Sequence, residues 1–274
     1  MPTINPEQLT FPKSSPQASK VLTLLAEEEP DIEAINDNIL QDPVLAGILL
    51  RYANSPLYRR GTEISNVPTA TKMIGLKNVR SAVVLAALRA TCPKETELTR
   101  AVLQHSLGIA ALCKLIARKS LPSAADDMEL LGLLHDMGMM VLASNLEKEY
   151  QALFDRAHAE HIPVDKLEME IFGFNHDQIT ARALQEFRLP KHHEELLSHF
   201  HQPPDEKNTD TEDKKQRAVL VLAHQLLFEM RGDDACDETL FESTEALMTT
   251  LGLDETVLED ILENALAQLS HFAR

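Results

Sequence analysis

The spacing of apolar residues limits what this chain can fold into, because these residues recur at intervals of three and four. Two clear runs are Val21, Leu24, Leu25 and Leu45, Ile48, Leu49, Tyr52. An α-helix places residues with this spacing on one face, whereas a half-buried strand needs strict alternation. Alternating runs are hard to find in the sequence. We therefore predict an all-α protein.

Capping residues mark where several of these helices should begin and end. Asp31, Asp42 and Ser123 stand before periodic apolar segments, where a short polar side chain can accept hydrogen bonds from free backbone N–H groups. Gly75 is placed to end a helix. These residues predict short helices joined by tight connections.

The chain is long enough for two helical lobes. Its 274 residues, 44% of them hydrophobic, can build a sizeable core, and about 150 residues per domain gives nearly two domains. Residues 91–96 form a polar stretch with a proline after an apolar helix, which suits a boundary. We predict an N-terminal helical lobe over residues 1–95 and a second lobe over residues 96–274. Residues 202–213 should form a surface loop within the second lobe.

The C-terminal segment predicts one more amphipathic helix. Its apolar stripe consists of Val257, Leu258, Ile261, Leu262, Ala265, Leu266 and Leu269. Such a stripe packs against another apolar surface. It can cover the second lobe or form the contact of a homodimer, and the sequence leaves both open.

The net charge of −17 argues against two classes of partner. A strongly acidic protein repels nucleic-acid backbones and anionic lipid, so we expect neither nucleic acid nor membrane partners. The most apolar stretch, residues 82–88, is far shorter than the roughly 20 residues that cross a bilayer. No signal peptide is visible at the N-terminus. We therefore expect a cytoplasmic protein. Its three cysteines lack C-x-x-C spacing, which argues against a disulfide framework or a structural zinc cluster.

The dipeptide His135-Asp136 is the sharpest chemical signal. It lies in the otherwise apolar run 129–140, where burying two polar side chains costs free energy unless they bind something. Adjacent residues cannot share one helix face. Both can still reach one metal, or flank two, if other helices supply further ligands.

Further histidines occupy positions that could supply those ligands. His105 lies three and four residues from apolar neighbours and should point inward. His176 should sit in the first turn of a helix opened by Asn175 and Gln178 as a capping box. His224 lies within the apolar run 219–227. His105 and His224 could instead be core histidines satisfied by hydrogen bonds.

The pair His192-His193 receives a different interpretation. It follows a proline and precedes two glutamates, so we predict a solvated first turn of a helix whose buried residues are Leu196 and Leu197. No nucleophile motif or glycine-rich phosphate loop is present. Metal-dependent catalysis is therefore the only kind of enzymatic activity for which the sequence offers candidate residues.

The order of motifs resembles the HDOD domain of bacterial signalling proteins. The resemblance covers about residues 11–228 and rests on segments 41–56, 64–67, 74–81, 104–106, 133–138, 173–176 and 188–190. HDOD domains are similar to HD-type metal phosphohydrolases and to HD-GYP cyclic di-GMP phosphodiesterases, but are regarded as regulatory versions without a complete active site. The resemblance implies an HD-domain-like, two-lobed helical bundle.

The resemblance also implies a ligand set. His105, His135, Asp136 and His176 match four metal ligands of the phosphohydrolases. The next expected histidine pair falls on Phe200-His201, so His201 is retained, and His199 could replace the missing partner after a small shift.

Two further positions depart from the phosphohydrolase pattern. The final aspartate of the pattern falls on His224, and the lysine that follows the pair in HD-GYP enzymes falls on Met139. The G-Y-P segment is missing. The metal would be a divalent ion such as iron, manganese, nickel or magnesium.

The segment containing Arg51, Asn54 and Ser55 belongs to the resemblance but also has a structural interpretation. Asn54 can accept a left-handed backbone conformation, and Pro56 prevents the helix from continuing. We favour this helix stop over a role at a surface between the lobes.

These observations leave three hypotheses for function. The preferred one is a regulatory signal-transduction protein with a degenerate phosphohydrolase site that acts by binding signalling proteins. The alternative is a metal-dependent phosphohydrolase acting on a nucleotide or cyclic dinucleotide. The third, cyclic di-GMP binding without hydrolysis, is disfavoured because the acidic sequence shows no obvious arginine cluster.

Overall fold

The computed structural model describes residues 5–11, 15–59, 61–91, 96–185, 191–198, 200–201, 211–231 and 242–272. These residues form α-helices and two short 3-10 turns with no strand among them, which confirms the all-α prediction. The helices are α1 (Pro16–Leu24), α2 (Ile32–Leu40), α3 (Pro43–Ala53), α4 (Val67–Ile74), α5 (Leu76–Thr91), α6 (Glu97–Ser120), α7 (Ala125–Leu134), α8 (Met137–Asn145), α9 (Glu147–Glu160), α10 (Val164–Phe172), α11 (His176–Leu184), α12 (Lys191–Ser198), α13 (Thr211–Arg231), α14 (Thr244–Leu251) and α15 (Glu255–Phe272).

Most of the predicted helix boundaries are confirmed. Asp31 and Asp42 cap α2 and α3, and each carboxylate accepts hydrogen bonds from the backbone N–H groups two and three residues later. Gly75 ends α4 with a φ of 79°. The prediction for Ser123 is wrong, because this residue lies inside the 3-10 turn Pro122–Ala124, and α7 begins after it without a side-chain cap.

One large core extends across the predicted boundary near residue 95. It contains Val21 and Leu49 from the N-terminal segment together with Leu112 and Leu222 from α6 and α13. A second, smaller core surrounds Tyr150. The division into lobes at residue 95 stays a prediction, and residues 92–95 lie outside the described residues.

Helix α6 is the central element of the large core. Among the described residues, only this helix is long and apolar enough to cross a membrane by length and composition, and 72% of that apolar stretch is buried inside the protein. It packs against α7, α13 and α15. Its apolar character therefore matches its place in the core.

The C-terminal helix α15 packs against α6 through part of the predicted apolar stripe. The prediction is wrong for Leu266, which is 57% exposed, and the side chain of Leu269 lies outside the described residues. Ile261 and Ala265 are buried, and Lys119 Nζ lies 2.7 Å from Asp260 Oδ2 at the edge of the contact. Of the predicted surface loop, residues 202–210 lie outside the described residues, and residues 211–213 begin α13 instead of continuing the loop.

Asn54 has the structural role that we favoured, but by another geometry. Its backbone is right-handed with a φ of −89°, so the expected left-handed conformation is wrong. The side chain donates to the carbonyls of Leu50 and Ile64 at 2.9 and 2.7 Å and accepts from the Ile64 N–H at 2.8 Å. It thus ties the end of α3 to the chain that follows.

The prediction of a solvated histidine pair in α12 is wrong for one member. His192 is exposed, but His193 is only 3% exposed. His193 lies four residues before Leu197, which is fully buried, so the two side chains share the inward face of the helix. His193 Nδ1 has no hydrogen-bond partner.

This buried histidine predicts an acid-sensitive stability. Burial, helped by His192, lowers the pKa of His193 from 6.5 to about 4, with Asp127 opposing and Arg80 and Lys77 assisting. The unfolded chain binds this proton at higher pH than the folded chain, so the free energy of unfolding should fall as the pH drops from 6.5 towards 4.

Urea unfolding of H193Q and wild type across this pH range measures the effect. The stability of H193Q should depend less steeply on pH than that of wild type, whereas H192Q should keep most of the wild-type dependence, because the burial of His193 is the larger cause of its lowered pKa. Equal pH dependence in H193Q and wild type would contradict the prediction.

Candidate metal centre

The six predicted metal ligands converge in the interior although they come from distant parts of the chain. The structure places His105 in α6, His135 and Asp136 in the turn between α7 and α8, His176 at the start of α11, His201 after α12 and His224 in α13. None of the six is more than 5% exposed. The tertiary fold therefore builds a buried polar cluster from these residues.

The cluster contains two groups of side chains that could each hold a metal ion. We call them the histidine triplet (His105, His135, His224) and the aspartate triplet (Asp136, His176, His201). Within each triplet, one ligand atom from every residue lies within 4.8 Å of the others. The break between α7 and α8 at residues 135–136 allows adjacent residues to enter different triplets.

The Asp136 carboxylate lies between the two triplets. Its Oδ2 is 3.0 Å from His135 Nε2 and 3.5 Å from His105 Nε2, and its Oδ1 is 3.7 Å from His176 Nε2. His105 Nε2 and His135 Nε2 are 3.3 Å apart. Several imidazole nitrogens therefore approach one buried carboxylate.

Three of the histidines are held by their other ring nitrogen. Nδ1 of His135, His176 and His201 donates to Gly132 O at 2.8 Å, Glu168 Oε2 at 2.7 Å and Asp177 Oδ1 at 2.6 Å, respectively. In the neutral form of each ring, Nδ1 carries the proton and Nε2 has the lone pair that a metal needs, so a metal would displace the second proton of a charged His176. Metal-bound histidines generally have this outer hydrogen bond, which sets their orientation and basicity.

Two buried carboxylates build this outer layer. Glu168 is fully buried and also accepts from the His176 backbone N–H at 2.7 Å and from the Tyr150 hydroxyl at 2.5 Å. Asp177 accepts from the His201 backbone N–H at 3.2 Å. Each carboxylate therefore holds both the ring and the backbone of one histidine.

The sequence did not reveal either carboxylate. Glu168 lies eight residues before His176 at no motif spacing, so nothing local marks it. Asp177 directly follows a predicted ligand within the confirmed capping box of Asn175 and Gln178. That adjacency was the available signal.

The surrounding charges change the ionisation of this layer. Burial disfavours a charged His176, but Glu168 outweighs it and raises the pKa of His176 to about 9. Burial likewise disfavours a charged Asp177, but His201 outweighs it and lowers the pKa of that carboxyl. The structure therefore favours a carboxylate at Asp177.

Apolar side chains occupy two positions where the phosphohydrolase pattern has polar ones. The ring of Phe200 lies 6.1 Å from that of His135, 5.1 Å from His224 and 4.8 Å from His201. Met139 is 1% exposed and belongs to the smaller core. His199, the other candidate for the missing ligand, lies outside the described residues.

The residues present fit a divalent transition metal. The donors are five imidazoles and one carboxylate, and imidazole suits iron, nickel and zinc. His176 Nε2 is buried without a hydrogen-bond partner, a state that a buried polar atom rarely keeps unless something else binds it. The outer hydrogen bonds use Nδ1 of three histidines and leave Nε2 of each as the atom that can bind a metal.

Gly138 allows α8 to approach the cluster closely. Its N–H donates to Thr180 Oγ1 at 2.8 Å, and that hydroxyl donates to His135 O at 3.1 Å. A Cβ at position 138 would lie 2.0 Å from the carbonyl oxygen of His176. Only glycine therefore permits this contact between α8 and the start of α11.

This contact predicts that G138A will be strongly destabilised. The added methyl group must push the His176 backbone away, and overpacking of a core costs about 3 kcal/mol. G47A is the matched control, since a Cβ there meets nothing within 4 Å and alanine favours a helix by about 1 kcal/mol. Urea unfolding should show a lower free energy of unfolding for G138A than for wild type, and no decrease for G47A. A G138A protein as stable as wild type would contradict the close approach.

The HDOD domain model matches residues 11–203 of the chain. Among curated proteins, none matches the sequence.

Three solved structures have a similar fold. A protein from Shewanella amazonensis SB2B, provisionally named a phosphohydrolase, has a TM-score of 0.73 at 18% identity, covering 96% of this chain and 95% of that one. An HDOD domain protein of unknown function from Geobacter sulfurreducens has a TM-score of 0.69 at 21% identity, covering 96% of this chain and 88% of that one. A protein from Marinobacter aquaeolei VT8, provisionally named a signal transduction protein, has a TM-score of 0.71 at 20% identity. The match covers 96% of this chain and 60% of that one. These likenesses confirm the all-α, HD-domain-like fold.

Proposed function

The chain belongs to the HDOD domain family, and on that premise we propose that it is a regulatory signal-transduction protein. Its buried centre holds a divalent metal that serves structure or sensing, and the protein acts by binding signalling proteins. The observation that carries the proposal is the burial of the complete centre, with His135, His176 and His201 anchored through Nδ1.

The histidine triplet and the aspartate triplet would hold the metal. A divalent ion bound there supplies a Lewis acid that lowers the pKa of a bound water. The protein's own groups orient the ligands, since Glu168 and Asp177 hold the rings of His176 and His201. The apolar ring of Phe200 lies 6.1 Å from that of His135.

The donor set favours some of the expected metals over others. Imidazole suits iron and nickel, whereas magnesium prefers oxygen ligands and retains several waters. With five imidazoles and one carboxylate, the centre should select iron or nickel over magnesium, with manganese between them.

Burial also separates a regulatory role from catalysis. A phosphoester must reach the metal and find positive charge for its transition state. None of the six ligands is more than 5% exposed. Met139 stands where the similar enzymes have a lysine, and Phe200 and His224 replace two further ligands. These features support a degenerate site.

The alternative function is a metal-dependent phosphohydrolase acting on a nucleotide or cyclic dinucleotide. It is favoured by the retention of His105, His135, Asp136 and His176 in one cluster, and by the provisional name of the Shewanella structure.

We further propose that the protein is cytoplasmic. For its oligomeric state, a homodimer formed through α15 is the alternative to a monomer.

The metal content of the purified, tag-free chain tests the centre. Wild type should contain iron, nickel or manganese at near-stoichiometric amounts, and the H135A/D136A double variant should contain none. D177N should bind the metal about 10- to 100-fold more weakly, because it loses the charge that orients His201. H192A, an exposed histidine outside the centre, is the matched control and should retain the metal.

Elemental mass spectrometry measures the metal, and circular dichroism verifies the fold of each variant. Wild type that stays metal-free after incubation with iron, manganese and nickel would contradict the metal site.

A second measurement separates the regulatory function from the alternative. With each metal added, wild type should hydrolyse a panel of phosphomonoesters, nucleotides and cyclic dinucleotides no faster than H135A/D136A, because the ligands are buried. Turnover that requires a metal and disappears in H135A/D136A would overturn the regulatory proposal in favour of the phosphohydrolase.

A further inference from the structure

A second cavity lies apart from the metal centre. It occupies about 570 Å³ between α3, α5, α6 and α7, and none of the six candidate metal ligands lines it. Small-molecule sites usually have volumes of about 300–1,000 Å³ and mostly apolar walls. The apolar lining here includes Ile48, Leu57, Leu85, Leu103, Leu107 and Leu133.

Three arginines from three different helices line this cavity. Arg51 lies near the end of α3, Arg89 near the end of α5 and Arg100 near the start of α6, and all three are exposed at its rim. These three side chains bring basic groups from distant parts of the chain to one cavity. The absence of an arginine cluster, expected from the sequence, is therefore wrong.

The acidic side chain in the lining, Glu129, is held by its neighbours. Glu129 is 2% exposed, and its Oε2 lies 2.6 Å from Lys114 Nζ. The hydroxyls of Tyr52 and Tyr58 also donate to this carboxylate, Tyr52 at 2.6 Å. Lys114 also pairs with Asp126 at 2.8 Å. The negative charge of Glu129 is thus held in an internal network, while the arginines are at the rim.

The two tyrosines add an aromatic surface to the lining. Their ring centroids are 5.2 Å apart with an interplanar angle of 31°. Burial, together with the charge of Glu129, raises the pKa of both hydroxyls, so they stay protonated donors to Glu129. Ser55 and Gln104 also line the cavity and supply neutral polar groups.

We propose that this cavity binds a small organic phosphate with an apolar or aromatic body, of which a nucleoside monophosphate is the simplest probe. The guanidinium groups of Arg51, Arg89 and Arg100 match a phosphate, because arginine donates paired, charge-assisted hydrogen bonds to its oxygens. The tyrosines and the leucine wall receive the body. This site is independent of the metal proposed above.

The position of the cavity would allow its ligand to act as a signal. Gln104 directly precedes His105 in α6, and Leu133 lies two residues before His135 in α7. A ligand in the cavity therefore contacts α6, which carries His105, and α7, which ends directly before His135. The proposed site also gives a role to Arg51 and Ser55, which belong to a segment of the resemblance and line the cavity.

Isothermal titration of the full chain with adenosine monophosphate tests the site, with adenosine and inorganic phosphate as separate probes. Wild type should bind the nucleotide at least about tenfold more tightly than either half, since phosphate and body both contribute. R51Q and R100Q should each weaken binding about tenfold, as expected for loss of a charged hydrogen bond. R118Q, an exposed arginine of α6 outside the lining, is the matched control and should bind like wild type.

Three results would overturn the proposal. The first is no binding of adenosine or guanosine monophosphate up to about 5 mM, which corresponds to negligible affinity. The second is binding that R51Q and R100Q leave unchanged, or that R118Q weakens equally. The third is nucleotide binding that is lost in a folded H135A/D136A variant, because it would assign the nucleotide to the metal centre. Retained binding in that variant supports a separate site even if the metal proposal fails.

Discussion

A fully buried carboxylate, Asp136, is the constraint around which the second half of the molecule is arranged. A buried charge costs several kcal/mol unless it is paired or bound. Here imidazoles from α6, from the start of α11 and from the turn after α12 approach it, and His135 next to it in the chain does so as well. Glu168 and Asp177 then hold two of these imidazoles from behind. The raised pKa of His176 shows how strongly the negative charges act on this centre.

Helix α6 connects this centre to the rest of the protein. It carries His105 on the side of the metal centre and Lys114 at the contact with the N-terminal helices, where the ammonium group reaches Tyr58 and Asn78 at 2.6 and 2.9 Å. Lys114 is only 1% exposed, and these contacts supply hydrogen-bond partners for its buried ammonium group. Two buried polar systems thus share one helix, and the arginine-rimmed cavity lies beside it. This arrangement suits a protein in which a small ligand is sensed by a helix that also supports the metal centre.

Particular residues show how far the sequence could predict the site. The positions of His105, His135, Asp136 and His176 follow from polar residues in apolar periodic segments and from the resemblance to HDOD domains. His193 was placed in solvent because its neighbours are polar, but its face of α12 packs inward with Leu197. The arginine rim was missed because Arg51, Arg89 and Arg100 belong to separate helices with no common spacing. Glu168 was missed for the same reason.

The sequence by itself determined the helices, most of their caps and the membership of the HDOD domain family. The helices and their caps depend on interactions within a few residues: apolar side chains three and four apart, and side-chain oxygens that accept hydrogen bonds from the first N–H groups of a helix. The family membership follows from the order of the motifs along the chain. Only the tertiary structure decided that Asp136 and the five histidines form two candidate metal-binding triplets, and that three arginines line one cavity. Those distances depend on how helices pack against each other, because packing brings together residues that the local chain keeps far apart.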